Sequence, residues 1–235
     1  MRAPHGRAHH RRCHRLLRHG RAPRGRRHAR VRKPRRHPGR SHRSVCMTSS
    51  ESGDELELKA RVDDPAALEA AIVEAGAELV FRGEMIDRRY DRRGKLEKRD
   101  EVLRLRVYKP DDGRPFGVLG WKGPGSVRDG YKHREEHEVQ VAQPEAARLI
   151  LERLRYEVVV RIDRKIAEYR LGGAAIRIEW YPAMDVLVEI EGEPQAIENA
   201  VRATGLGRDR FLPEALPHFV NAYEQRTGRT ARLAL

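Results

Sequence analysis

The chain has 235 residues and a formal net charge of +14, which on its own would suggest a nucleic-acid or anionic-surface partner. The distribution of the charge excludes that interpretation for most of the chain. Residues 1–46 hold 17 of the 49 Lys and Arg residues and no Asp or Glu, leaving 32 basic and 35 acidic residues elsewhere. Cys13 and Cys46 also lie in this segment, so a disulfide framework or a cysteine zinc site is excluded in the remainder.

Residues 1–46 consist mostly of Arg, His, Pro, Gly and Ala without hydrophobic periodicity, a composition that predicts a disordered basic tail. Two interpretations stay open. The tail is either a basic arm for nucleic acid or an upstream extension of a protein whose native start is Met47, and composition favours the second. Nucleic acid is therefore an expected partner only if the tail belongs to the native protein. Residues 47–54 are predicted to be a polar leader.

The sequence holds no apolar run of about 18 residues, the length that predicts a transmembrane helix. The apolar pair Leu16-Leu17 is too short for the core of a signal peptide. These features predict a cytoplasmic protein without a membrane partner. They do not indicate an oligomeric state.

Eight segments are predicted to be strands, joined mostly by short turns: 55–59, 79–91, 102–108, 116–122, 131–141, 157–171, 174–181 and 186–191. Helices are predicted to begin at Asp64-Pro65, at Pro144, at Pro194, and at either Pro213 or Pro217. This pattern predicts an α+β fold, in which an eight-stranded antiparallel β-barrel forms a tunnel with helices packed outside. The predicted domain spans residues 55–227 and is followed by a C-terminal tail, 228–235.

The predicted strands carry charge on one face. In the first strand Glu55, Glu57 and Lys59 share a face, and Leu56 and Leu58 share the other. Four later segments repeat this layout with Arg104 and Arg106, with Arg134, Glu136 and Glu138, with Arg177 and Glu179, and with Glu189 and Glu191. If the apolar faces pack under amphipathic helices, the charged faces must line the inside of the barrel.

Such an interior has a defined chemical requirement. Clustered carboxylates raise one another's pKa unless cations lie between them. Clustered Lys and Arg side chains lower one another's pKa unless anions lie between them. A divalent metal on the carboxylates and a multiply charged anion on the basic groups would stabilise both sets together. The charge pattern therefore predicts a site for a polyphosphate chelating Mg²⁺ or Mn²⁺.

These residues resemble the CYTH domain family, also called triphosphate tunnel metalloenzymes, which includes class IV adenylate cyclases, thiamine triphosphatases and inorganic triphosphatases. Glu55-x-Glu57-x-Lys59 is similar to the opening signature of the family. Further blocks follow in family-like order: Asp87-x-x-Tyr90-Asp91, Arg104-x-Arg106, Lys122-Gly123-Pro124, Arg134-x-Glu136-x-Glu138 and Glu189-Ile190-Glu191.

The resemblance implies roles for particular residues and Mg²⁺ or Mn²⁺ as cofactor. It implies metal ligation by Glu55, Glu57, Glu179, Glu189 and Glu191, although Glu179 is equally suited to holding an arginine in place. It implies phosphate binding by Lys59, Arg104, Arg106, Lys122, Arg134, Arg164 and Arg177. The residues implied in catalysis are Glu55, Glu57, Lys59, Glu136 and Glu138.

Three functions stay open. The favoured one is a metal-dependent triphosphatase acting on tripolyphosphate, thiamine triphosphate or ATP. The first alternative is a class IV adenylate cyclase, which would convert ATP to cyclic AMP and pyrophosphate at the same site. The second is a non-catalytic module that binds polyphosphate or nucleotide. Two departures from the family favour that module, since Ile166 stands where the family has an arginine and no lysine follows Lys165.

Overall fold

The structure is a computed structural model, and it describes residues 53–235. The predicted basic tail and all but the last two residues of the predicted leader lie outside the described residues. The described strands are β1 (Gly53–Val62), β2 (Glu78–Asp91), β3 (Val102–Pro110), β4 (Phe116–Lys122), β5 (Ser126–Arg128), β6 (Tyr131–Val141), β7 (Glu157–Leu171), β8 (Ala174–Trp180) and β9 (Val186–Glu191). The described α-helices are α1 (Pro65–Glu74), α2 (Pro144–Arg153), α3 (Pro194–Ala203) and α4 (Leu216–Thr227).

Eight of the strands close into an antiparallel barrel. Their order is β1-β9-β8-β7-β2-β3-β4-β6, and β6 pairs again with β1. The predicted α+β fold with an eight-stranded barrel is confirmed. The short strand β5 was not predicted; it pairs with β6 through Ser126 and His133 and takes no part in the closure.

The outer face of β1, β8 and β9 is covered by α1 and α3. On the strands Leu58, Ile176 and Val188 are completely buried, and they share one hydrophobic cluster with Ile72 of α1 and Ile197 of α3. A second cluster lies under α2 on the other side of the barrel, where Leu151 packs with Tyr90 of β2 and Leu105 of β3. The outer apolar faces are thus buried by helices, which leaves the charged faces inside.

The helix boundaries follow local signals in the sequence. The Asp64 side chain accepts hydrogen bonds from the backbone N–H groups of Ala66 and Ala67, at 3.1 and 3.0 Å, and so caps α1. Gly76 follows this helix with φ of +93°, a conformation that favours glycine. Helix α4 begins at Leu216, so Pro217 rather than Pro213 lies in its first turn.

The residues after α4 contact the barrel. The backbone N–H of Asp163 in β7 donates to the carbonyl of Leu233 at 2.7 Å, and Arg232 pairs with Ala183 before β9. In the part of the chain that the structure describes, no helix has the length and apolar character needed to cross a membrane.

The turn after β2 depends on one buried carboxylate. Asp91, at 4% exposure, accepts backbone N–H groups from Arg92, from Leu96 (3.2 Å) and from Glu97 (3.0 Å). Burial raises the pKa of this carboxyl group, but the backbone hydrogen bonds outweigh burial and hold its pKa below the ordinary value.

We expect Asp91→Ala to lower the free energy of unfolding at pH 7 by about 2 kcal/mol, because buried N–H groups lose their acceptor. Since the folded-state pKa is depressed, the carboxylate stabilises fully above its ordinary pKa of 3.8, and this contribution is lost as the pH falls through the folded-state pKa. Urea unfolding between pH 7 and pH 3 measures both effects. Asp112→Ala, at an exposed turn position, is the control; an equal loss in both variants would contradict the prediction.

Candidate active site in the barrel interior

The inner face of the barrel is lined by charged side chains that are largely removed from solvent. Residues paired directly across neighbouring strands share a face, and Glu57 is paired with Lys132 of β6 and with Glu191 of β9. The buried charged residues on this face are Glu57, Lys59, Asp87, Arg104, Arg106, Lys122, Glu136, Glu168, Arg177, Glu179 and Glu189. The predicted charged interior is therefore present.

Three carboxylates form a compact cluster in this interior. Glu55 and Glu57 lie on β1 and Glu191 at the end of β9, and one oxygen from each lies within 4.8 Å of the others. Carboxylate oxygens are the ligands that Mg²⁺ and Mn²⁺ prefer. The donor set and its spacing therefore fit a divalent cation.

The three carboxylates differ in the direction of their pKa shifts. Burial, reinforced by Glu191 and Glu136, raises the pKa of Glu55 to about 8 although Lys122 opposes the shift. Burial also acts on Glu57, but Lys59 and Lys132 outweigh it and lower its pKa to about 2.

The pKa of Glu191 is likewise lowered to about 2, because Arg177 and Lys122 outweigh its burial. Glu55 is therefore the member of the cluster whose charged form gains most from an additional neighbouring cation.

Glu179 and Glu189, the other two predicted ligands, lie outside this cluster. Glu189 accepts hydrogen bonds from Lys59 and from Arg177, the latter at 2.8 Å. Glu179 accepts from Tyr181, and its Oε1 lies 2.9 Å from Nε of Arg164. This contact with Arg164 is the kind that the second of the two expected roles of Glu179 needs, and that role stays a prediction.

The cations predicted to bind phosphate are each paired with a carboxylate. Lys122 contacts Glu55, and its Nζ lies 2.8 Å from Oε2 of Glu136. Arg104 donates to the same Glu136 at 2.5 Å. The remaining pairs join Lys59 to Glu189, Arg106 to Glu138, Arg134 to Asp100, Arg164 to Glu179, and Arg177 to Glu168, Glu189 and Glu191.

These pairs place the predicted catalytic residues Glu136 and Glu138 within the cationic wall. Burial raises the pKa of Glu136, but Arg104 and Lys122 hold it well below its ordinary value. Glu136 is therefore an ionised anchor for two cations. Glu138 accepts from Arg106, and from Arg104 at 3.2 Å.

Part of the inner wall is apolar, and Ile166 belongs to that part. It packs with Phe81, Met85 and Tyr108, and the guanidinium of Arg106 lies over the Tyr108 ring at 5.6 Å. Lys165 and Arg161 are exposed, as strand alternation predicts, so neither replaces the arginine that the family has at position 166.

Sequence reasoning assigned no role to four interior residues, Asp87, Arg89, Lys132 and Glu168. Lys132 donates to Glu57, and the alternation Lys132-x-Arg134-x-Glu136 carries a signal that could have found it. Glu168 contacts Arg177 at 3.2 Å. Strand β2 carries charge on both faces around Asp87 and Arg89, so its sequence gives no clear signal.

Comparison with protein families agrees with this geometry. The sequence model of the CYTH domain family matches residues 53–204. The chain belongs to the CYTH family. Members of this family in general depend on a metal and bind triphosphates such as ATP. No curated protein matches this chain.

Solved structures of CYTH-like proteins share the fold. A candidate adenylate cyclase from Vibrio parahaemolyticus is 18% identical, with a TM-score of 0.62 over 73% of this chain and 99% of its own. The PH1819 protein from Pyrococcus horikoshii is 22% identical, with a TM-score of 0.58 over 74% and 99%. A candidate adenylyl cyclase from Hippeastrum, described as having a dominant triphosphatase activity, is 18% identical, with a TM-score of 0.51 over 76% and 98%.

Metal binding by variants of Glu191 and Glu189 distinguishes a site made of the three clustered carboxylates from one that also includes Glu189. We expect Glu191→Gln to weaken Mn²⁺ binding by at least about tenfold, because it removes one of three converging oxygen ligands. Glu189→Gln, two residues earlier on the same strand, should change the affinity by less than about threefold, since that carboxylate binds Lys59 and Arg177. Titration calorimetry gives both affinities, and thermal melts check the fold. Equal losses would add Glu189 to the ligands.

Proposed function

We propose that this CYTH protein is a divalent-metal-dependent triphosphatase that hydrolyses inorganic or organic triphosphates inside the barrel. One observation carries the proposal. The compact cluster of Glu55, Glu57 and Glu191 lies directly beside the cations Lys59 and Lys122, so one region of the barrel interior combines a candidate metal site with cations suited to a polyphosphate.

The two lysines would exchange their partners when substrate enters. Lys122 binds Glu55 and Glu136 in the structure, and Lys59 binds Glu189. Phosphate oxygens are anionic acceptors of the same kind, so each ammonium group can move from a carboxylate to phosphate. The carboxylate that Lys122 leaves, Glu55, is then available as a metal ligand.

The arginines would fix the orientation of the phosphate chain. Arg104 and Arg106 are anchored by Glu136 and Glu138, which restrict their side chains to the inner wall. A guanidinium offers two parallel N–H donors to a phosphate, so an anchored arginine holds both the position and the direction of the chain. This positioning aligns a water molecule with the bond to be broken.

The reaction transfers the terminal phosphoryl group to water. A bond forms between the water oxygen and the terminal phosphorus, and the bond from that phosphorus to the bridging oxygen breaks. The proton that the water loses passes to solvent, and the products from tripolyphosphate are orthophosphate and pyrophosphate. A bound Mg²⁺ or Mn²⁺ supplies charge neutralisation and polarisation of phosphate oxygens. Lys59, Lys122 and Arg104 stabilise the charge that develops on the leaving oxygen.

The nature of the interior favours hydrolysis over cyclisation. Cyclisation needs side chains that bind and orient the nucleoside, whereas hydrolysis needs only water and side chains that bind the triphosphate. The interior rings of Phe81 and Tyr108 pack against each other with centroids 5.5 Å apart and are almost fully buried. They are therefore occupied by their own packing.

The products of the full chain test the proposal. With Mn²⁺ or Mg²⁺ and tripolyphosphate, thiamine triphosphate or ATP in turn, we expect orthophosphate in the phosphorus NMR spectrum. Glu57→Gln should lower kcat by at least about 100-fold, because a buried ligand carboxylate is removed. Glu135→Gln removes the same charge from an exposed position beside Glu136 and should leave kcat unchanged.

Other products would contradict the proposal in distinct ways. Cyclic AMP together with pyrophosphate from ATP would identify a cyclase. Binding of triphosphate without turnover of any of the three compounds would identify a binding module. Equal turnover in Glu57→Gln and the unaltered protein would show that the carboxylate cluster is not the active site.

A further inference from the structure

The first residues of β6 belong to the barrel and to a hairpin at the same time. On one edge they pair with β1, which places Lys132 directly opposite Glu57. On the other edge they pair with the short strand β5, whereas β4 pairs with β6 only from Glu136 onwards. The turn between β5 and β6, at Asp129-Gly130, has φ angles of 52° and 84°, typical of a two-residue hairpin. Lys132 therefore lies where a hairpin extends past β4, at the edge of the closed barrel.

The side chain of Lys132 reaches the carboxylate cluster from this edge. Its Nζ donates to Oε1 of Glu57, the same oxygen that lies 3.9 Å from Nζ of Lys59. The two lysines differ in exposure, since the side chain of Lys132 is 18% exposed and that of Lys59 is 6% exposed. Lys59 also contacts Glu189. Lys132 is thus the more accessible of the two cations beside Glu57.

Lys132 supplies part of the positive charge that keeps Glu57 ionised. Burial raises the pKa of Glu57, but Lys59 and Lys132 outweigh burial and lower it. A divalent cation bound by the cluster would supply charge to the same carboxylate, from about 2.1 Å away for Mg²⁺. An ammonium group in contact with that carboxylate would lie only a few Å from the doubly charged ion, and the two would repel each other. The metal and Lys132 therefore compete for Glu57.

Of these two lysines, Lys132 is the one that can leave Glu57 easily. Its stem is long and flexible and part of it is in contact with solvent, so the ammonium group can turn outwards and be hydrated. Lys59 is enclosed at 4% exposure and is held by Glu189. Displacement by a metal ion therefore falls on Lys132.

We propose that Lys132 is an internal counter-ion that competes with the divalent cation for Glu57 and so sets the metal affinity of the barrel. The inference rests on the proposed function in one respect, because it requires the cluster of Glu55, Glu57 and Glu191 to be the metal site. While Lys132 contacts Glu57, the cluster binds a cation weakly. When Lys132 turns outwards, the full charge of Glu57 is available to the cation. Lys132 thereby lowers the metal affinity and stabilises the fold whenever no cation is bound.

Titration calorimetry of the full chain with MnCl₂, without any phosphate compound, tests this competition. We expect Lys132→Met to bind Mn²⁺ at least about fivefold more tightly, because one positive charge near the cation is removed. Lys132→Arg keeps that charge, so its affinity should stay within about twofold of that of the unaltered protein. In thermal melts without Mn²⁺, Lys132→Met should melt at a lower temperature, since Glu57 loses a cation. Saturating Mn²⁺ should recover most of that difference.

Lys109→Met is the matched control, because it removes a lysine from an ion pair outside the barrel interior. Nζ of Lys109 lies 3.6 Å from Oε2 of Glu84, and the two side chains are 46% and 53% exposed. This variant should leave the Mn²⁺ affinity unchanged. Equal or weaker Mn²⁺ binding by Lys132→Met would overturn the inference and leave the triphosphatase standing. Tighter binding by Lys132→Met, with no triphosphate turnover by the unaltered protein, would support the inference and overturn the proposed function. Failure of the unaltered protein to bind Mn²⁺ would overturn both.

Discussion

The neutralisation of charge inside the barrel is the constraint on which the rest of the structure depends. Removing a carboxylate or an ammonium group from water costs several kcal/mol unless an opposite charge and hydrogen bonds replace the lost hydration. Here almost every interior carboxylate meets a cation from another strand, as Glu136 of β6 meets Arg104 of β3. The pairing register of the strands therefore decides both the stability of the interior and the arrangement of the site.

The helices make this polar interior possible. An eight-stranded barrel has two faces, and a small domain needs one apolar face to bury. In this chain the apolar residues of β1, β8 and β9 point outwards, where Ile72 of α1 and Ile197 of α3 cover them. The hydrophobic core thus lies between the barrel and the helices, so the inner face is free to carry charge.

The sequence contained the elements of the fold and the face of each strand, because these follow from period-two alternation and from proline and glycine positions. The side-chain contacts inside the barrel were harder to predict from the sequence. Glu189 was expected to be a metal ligand, and Glu179 either a ligand or a support for an arginine. The strand register places Arg177 and Arg164 beside these two carboxylates, a contact that the sequence does not reveal, and their part in metal binding stays a prediction. In a closed barrel the alignment of each strand pair must be consistent with that of every other pair, so the contacts across the interior depend on all eight strands. Arg89 was missed since Arg88 and Arg89 put equal charges on both faces of β2.

The interior ion pairs also limit what can bind. An anion alone could draw Lys122 from Glu55 and Glu136, but it would leave Glu55 without its cation beside the carboxylates of Glu57 and Glu191. A cation alone that takes Glu55 would leave Lys122 to share Glu136 with Arg104. A divalent metal and a polyphosphate that enter together replace both partners of each pair, so each lowers the cost of binding the other. By linkage the two affinities must rise together, and neither ligand should bind with full affinity alone.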